Sequence, residues 1–162
     1  VIKESLSMRI YNIFSNKYIV VIVIAVILVS CCAIRYISQK AMAQQEFKIL
    51  SDIKRASPEQ LIQYTVWAYN NKNYEVAEGL SIIQNSANFD SWIHKYKVVS
   101  IEEADVYIEY RHLMQQFSHI KQYRVKLSYT YRLFMKGITI KDFIFVYDSK
   151  RLRWYLYAFG SY

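Results

Sequence analysis

Residues 123–134 read "YRVKLSYTYRLF", and the alternation within them decides the fold. Tyr123, Val125, Leu127, Tyr129, Tyr131 and Leu133 fall on one side of a pleated strand. Arg124, Lys126, Ser128, Thr130 and Arg132 fall on the other. Side chains of a β-strand point to opposite faces in turn, so a period of two held this long specifies a half-buried strand. It also demands a second layer, because the apolar face must be covered.

The neighbouring segments extend the sheet. "MKG", 135–137, reads as a turn, with Gly137 free to take a positive φ. "ITIKDFIFVY", 138–147, returns as a strand, "DSKR", 148–151, turns again, and "LRWYLYAF", 152–159, is the next strand. Upstream, "HKYKVVSI", 94–101, supplies a fourth. The expected product is an antiparallel meander with one apolar face. Between these, "IEEADVYIEYRHLMQQF", 101–117, is ambiguous. Tyr107-Ile108-Glu109-Tyr110 alternates as a strand would, but Val106, Tyr110, Leu113 and Phe117 fit a helix better.

The cover comes from "SPEQLIQYTVWAYNNKNY", 57–74. Ser57 is a good N-cap, Pro58 suits the first helical position, and Gln60 completes a capping box. Leu61, Tyr64 and Ala68 follow at helical spacing with Trp67 on the flank, and "NNKN", 70–73, ends the helix. "YEVAEGLSII", 74–83, reads as a second helix carrying Val76, Leu80 and Ile83. Residues 35–56 contain good helix formers and no breaker, with only a loose apolar stripe, and read as a partly helical stalk.

The amino-terminal part is of another kind. "YIVVIVIAVILVSCCAI", 18–34, holds no charge, Gly or Pro. Its length lies at the short edge of what spans roughly 30 Å of hydrocarbon as a helix. Lys3, Arg9 and Lys17 precede it, favouring an amino terminus in the cytoplasm, although Arg35 and Lys40 follow closely. Met8 onward has the basic n-region and apolar h-region of a secretory signal. The first residue, Val1, fits a GUG start, or a true start at Met8. Cys31 and Cys32 are the only cysteines, so the rest of the chain folds by apolar burial without disulfides. The boundaries expected are residues 1–34 as signal peptide or anchor, 35–56 as stalk, and 57–162 as an extracytoplasmic α+β domain.

Leu28-Val29-Ser30-Cys31 resembles the lipobox of bacterial lipoproteins, in which the cysteine sulfur takes a diacylglyceryl group and a peptidase cuts just before it. The resemblance implies lipidation at Cys31. The plain alternative is an uncleaved span. After Cys31 the chain stays apolar for three more residues, Cys32, Ala33 and Ile34, where a lipoprotein usually turns polar.

The formal charge of +8 is uneven: residues 35–120 carry −1 and residues 121–162 carry +7. A basic carboxy-terminal sheet points to an anionic partner, whether anionic lipid, wall polymer or protein, through Arg124, Lys126 and Arg132. A merely solvated strand face is the simpler reading of the same charges. Export makes nucleic acid an unexpected partner, despite the basic–aromatic interleaving.

A capped helix, a short second helix and long strands ending in "RWYLYAFGSY" together resemble the nuclear-transport-factor-two-like (cystatin-like) cone. Many small lipoproteins of Gram-positive bacteria share that pattern, with Trp154 and Gly160 here in the corresponding places. The resemblance implies a cone over residues 57–162 and no catalytic residue at a definite position. Some cone-fold enzymes place Asp, Tyr or His in the cone, so a small-molecule enzyme is a third option. Tyr64, Trp67, Tyr129, Tyr131 and Trp154 could line a pocket between helix and sheet, with core packing the simpler reading. His94, His112 and His119 are scattered, Asp90 with His94 at i and i+4 could be an acid/base pair with a surface pair the simpler reading, and no HxH, HExxH or CxxC spacing occurs. No metal and no cofactor are expected. The function expected is a non-catalytic, membrane-tethered binding lipoprotein. The alternative is a bitopic assembly subunit of a conjugation or type-IV-like secretion machine.

Overall fold

The computed structural model describes residues 2–82, 95–131 and 135–160, with side chains from Lys17 onward. Helices α1 (Ile2–Asp52), α2 (Pro58–Asn71) and α3 (Tyr74–Leu80) precede four strands: β1 (Lys95–Ala104), β2 (His119–Tyr131), β3 (Met135–Asp148) and β4 (Arg153–Gly160). The strands form one antiparallel sheet in chain order, and a 3-10 helix (Ile108–Gln115) joins β1 to β2. The fold is α+β. It divides into two compact units, Val1–Gln45 and Glu46–Tyr162.

The first unit is helix alone. No Gly or Pro interrupts α1, so its hydrogen-bond ladder runs unbroken. Large apolar side chains from Tyr18 to Ile37 are exposed. The most apolar 18-residue stretch has a mean hydropathy of 2.8, and none of it is buried. Such a helix is long and apolar enough to cross a membrane.

The second unit begins with the last turns of α1, which bury Ile49, followed by Ile53 and Ala56. Ser57 then opens α2 as read from the sequence. Its Oγ accepts from the Gln60 N–H at 3.3 Å, and the Gln60 side chain accepts from the Ser57 N–H at 2.9 Å. Lys72 ends α2 in the left-handed region (φ 52°), and Asn73 caps α3 by accepting from the Val76 N–H at 2.9 Å. Helix α3 stops at Leu80, short of the expected Ile83. There the chain turns onto the sheet: Ser81 bridges Leu156, and the Ile82 N–H donates to the Leu156 carbonyl at 3.1 Å.

The alternation of β2 is realised from Tyr123 to Leu127; residues 128–131 are all half-buried, and Arg132 and Leu133 lie outside the described residues. Tyr123, Val125 and Leu127 are buried beneath Leu61, Ile62, Val66 and Val76 of the helices. Bulges in β1 at Val99 and in the β3–β4 pairing at Ile144/Phe145 keep the core side chains in phase. Val98 and Ile101 therefore both pack inward, as do Leu156 and Phe159.

Three local expectations are corrected. Residues 101–104 belong to β1, and only Ile108–Gln115 is helical, as a 3-10 rather than an α-helix. Gly137 lies inside β3, opposite Tyr129, without a positive φ. Its missing Cβ admits the Tyr129 ring, whose atoms would stand 2.4 Å from such a carbon. The sheet is apolar on more than one face. The 3-10 helix packs Leu113 behind the sheet against Val146 and Tyr155, with Tyr110, Phe117, Ile120 and Tyr157 around them. Ile144 and Val146 are fully buried on that rear face, and Phe143 and Phe145 are buried on the front.

Two neighbouring positions test the alternation. Val125→Asp buries an unpaired charge and should cost about 3–5 kcal/mol, abolishing the cooperative thermal transition. Lys126→Asp, one residue on and exposed, should leave stability within about 0.5 kcal/mol. Circular dichroism melts of both variants measure the contrast.

Candidate binding face

Strand pairing places residues from three strands in rows across the rear of the sheet. Lys95, Thr130 and Lys136 form one row, Lys97, Ser128 and Ile138 the next, and Ser100, Lys126 and Ile140 the third. Directly paired residues share a face, so these nine lie together. All four lysines are exposed, as are Ile138 and Ile140. No acidic residue stands in the three rows. Strand β4 pairs with β3 only from Asp142 onward, and the rear cover contributed by the 3-10 helix meets Val146 and Tyr155.

The fourth row, Glu102–Arg124–Asp142, closes the face. Asp142 is buried, and it accepts from the Tyr107 hydroxyl at 2.7 Å and from Arg124 Nε at 3.4 Å. Arg124 Nη2 also donates to the Tyr107 hydroxyl at 3.1 Å. The Tyr107 hydroxyl and the Asp142 charge hold the guanidinium pKa above its ordinary value. Beside this clasp, the fully buried Gln122 accepts from the Tyr107 N–H at 3.0 Å, while its Nε2 has no partner among the described residues.

Of the three cations read from the sequence, Lys126 is on the open face, Arg124 is committed to Asp142, and Arg132 lies outside the described residues. Lys95, Lys97 and Lys136 were missed. They come from strands far apart in sequence, and only the register brings them beside Lys126.

The five aromatics read as a pocket are not all brought together. Trp154 packs against Tyr147, whose partner on β2 is His119. Tyr129 pairs with Gly137 near the far end of β2, roughly 30 Å along the strand at 3.3 Å per residue. Tyr64, Trp67 and Trp154 are each half-buried against the helix–sheet core, while Tyr131 ends β2 beyond Tyr129. Between α2 and the sheet, a gap of about 20 Å³ lies among Thr65, Tyr69, Leu127 and Phe143, room for one water at most.

His112 and His119 are exposed on separate elements, and Asp90 and His94 lie outside the described residues. Among the described residues, no three His, Cys, Asp or Glu side chains gather to hold a metal. Cys31 and Cys32 are exposed on α1.

A polar chain ties α2 to the sheet. The Tyr123 hydroxyl donates to Glu59 at 2.7 Å, and Lys121 reaches Tyr123 at 3.4 Å and Glu103 at 3.1 Å. Burial works against the Glu59 charge. Hydrogen bonds from Tyr123 and Ser57, with the Lys121 charge, outweigh it and leave the pKa below the ordinary value. Burial and the Glu59 carboxylate push the Tyr123 phenol well above its own.

No protein-family model, curated protein or solved structure matches the chain.

The Glu59 shift predicts a pH dependence. A carboxylate with a lowered folded-state pKa adds stability that is present above the unfolded value of about 4.3 and is lost as pH falls through the folded value. Glu59→Gln should therefore lower stability at neutral pH by no more than about 1 kcal/mol, because the site is solvent-screened. The gap from wild type should close in acid. Paired melts across pH measure it.

Proposed function

We propose that the chain is a membrane-tethered binding module whose α+β unit lies outside the cytoplasm and works by docking rather than by catalysis. The observation that carries this reading is the pairing of two surfaces on one chain. One is the apolar stretch of α1, none of it buried; the other is a sheet face that no other described residue covers, with four lysines and no acid in its rows. Basic residues ahead of the apolar stretch favour an inside amino terminus. Two helices followed by a four-stranded meander support the cone-like reading of the second unit. Fold alone does not assign activity.

Two modes of attachment each have an observation in favour. The Leu28-Val29-Ser30-Cys31 tetrad favours a lipoprotein anchored by acyl chains on Cys31. The unbroken α1, with exposed apolar side chains from Tyr18 past both cysteines to Ile37, favours an intact span. That geometry suits the second reading, a bitopic subunit of a conjugation or type-IV-like assembly.

Mass spectrometry of the membrane-extracted protein separates them. A mature chain starting at an acylated Cys31 supports the lipoprotein, and Cys31→Ala should then block processing. An unmodified chain retaining the segment from Lys3 to Lys17 supports the span. Recovery of the native chain from the soluble cytosolic fraction contradicts the whole reading.

A further inference from the structure

We infer that the uncovered rear face of β1–β3 docks on an anionic lipid bilayer, with its lysines at the headgroups and Ile138 and Ile140 against the acyl boundary. This rests on the membrane-tethered reading above and names the partner of that face.

Lys97 and Ile138 lie in one row with Ser128 between them, and Lys126 pairs directly with Ile140. The face is thus a mixture of cations and aliphatic side chains. Ile138 and Ile140 are 61% and 53% exposed, which leaves apolar surface in water beside a positive field. A soluble polyanion would satisfy the lysines and leave both isoleucines wet. An anionic bilayer takes both, since interfacial binding scales with buried apolar area plus attraction to acidic headgroups.

Among the described residues, none of the four lysines is held in an ion pair. The acids nearest to them in the sheet, Glu102 and Asp142, stand one row beyond, flanking Arg124, and Asp142 is already held by Arg124 and Tyr107. The apolar helix on the same chain keeps the face near a bilayer, so weak docking suffices at high effective concentration.

The test is hydrogen exchange on the full chain. It is reconstituted in vesicles of phosphatidylcholine, or of phosphatidylcholine with phosphatidylglycerol, and exchange is read on peptides covering Met135–Lys141. In the anionic vesicles these amides should exchange several-fold more slowly, while Phe143–Val146 stays unchanged. Added salt should remove the difference. Lys126→Gln and Lys136→Gln should each lower the protection about fivefold, and Ile138→Ser with Ile140→Ser should lower it as well. If the β3 variants also lose protection at Phe143–Val146, they have unfolded, and Lys95→Gln with Lys97→Gln replaces them.

Equal exchange in both vesicle types, with the chain bound to both, overturns the docking and leaves the tether standing. A chain bound only to anionic vesicles keeps the docking and removes the tether, and a chain bound to neither overturns both. Equal protection by soluble polyphosphate added to phosphatidylcholine vesicles overturns the lipid in favour of a polyanion.

Discussion

Burial of β3 on both sides between Phe143 and Val146 is the constraint on which the second unit depends. Phe143 and Phe145 reach forward into the core closed by α2, α3 and the end of α1. Ile144 and Val146 reach backward, Val146 against Leu113 of the 3-10 helix. Each fully buried side chain of this kind contributes about 1.5–3 kcal/mol. A one-residue slip of β3 would exchange its two faces, so two-sided burial fixes the register of β2 and β4 along with it. The same register sets the rows of the open face. The layers cover one end of β3 and leave Met135–Lys141 with a bare rear surface.

Electrostatics follow from that division. Where the sheet is covered, its buried polar groups are gathered into a clasp: Asp142 with Tyr107 and Arg124, and Gln122 with the Tyr107 backbone. A buried carboxylate needs such partners. Where the sheet is bare, lysines project into water with no acid in their rows, and their field is long-ranged only at low salt. The change from a paired cation to one with no acid in its row takes one step along the strands, from Arg124 to Lys126.

Much of this was legible in the sequence. The period of two in β2 specified its buried residues, and Ser57, Pro58 and Gln60 specified where α2 starts. The rear cover was not foreseen, although a signal for it was present. Phe143 to Tyr147 is a continuous apolar run rather than an alternation, which is how strands buried on both faces read. The 3-10 helix resembles an α-helix in sequence because Tyr110 and Leu113, three apart, suit both spacings, while Phe117, which fits only the α-helical one, lies beyond its end. The open face was legible only at Lys126. Arg124 looked equally available because its partner Asp142 is 18 residues away, and Lys95, Lys97 and Lys136 join the face only through strand pairing. Gly137 resembles a turn residue because glycine permits positive φ, whereas here its value is the space it leaves for Tyr129.

Native-state hydrogen exchange along β3, in the detergent-solubilised full chain, tests the two-sided burial most directly. With β3 buried on both sides, amides of Phe143–Val146 should exchange only on global unfolding, while those of Met135–Lys141 exchange well before it. Protection that is uniform along the strand, or greatest at Met135–Lys141, would contradict it.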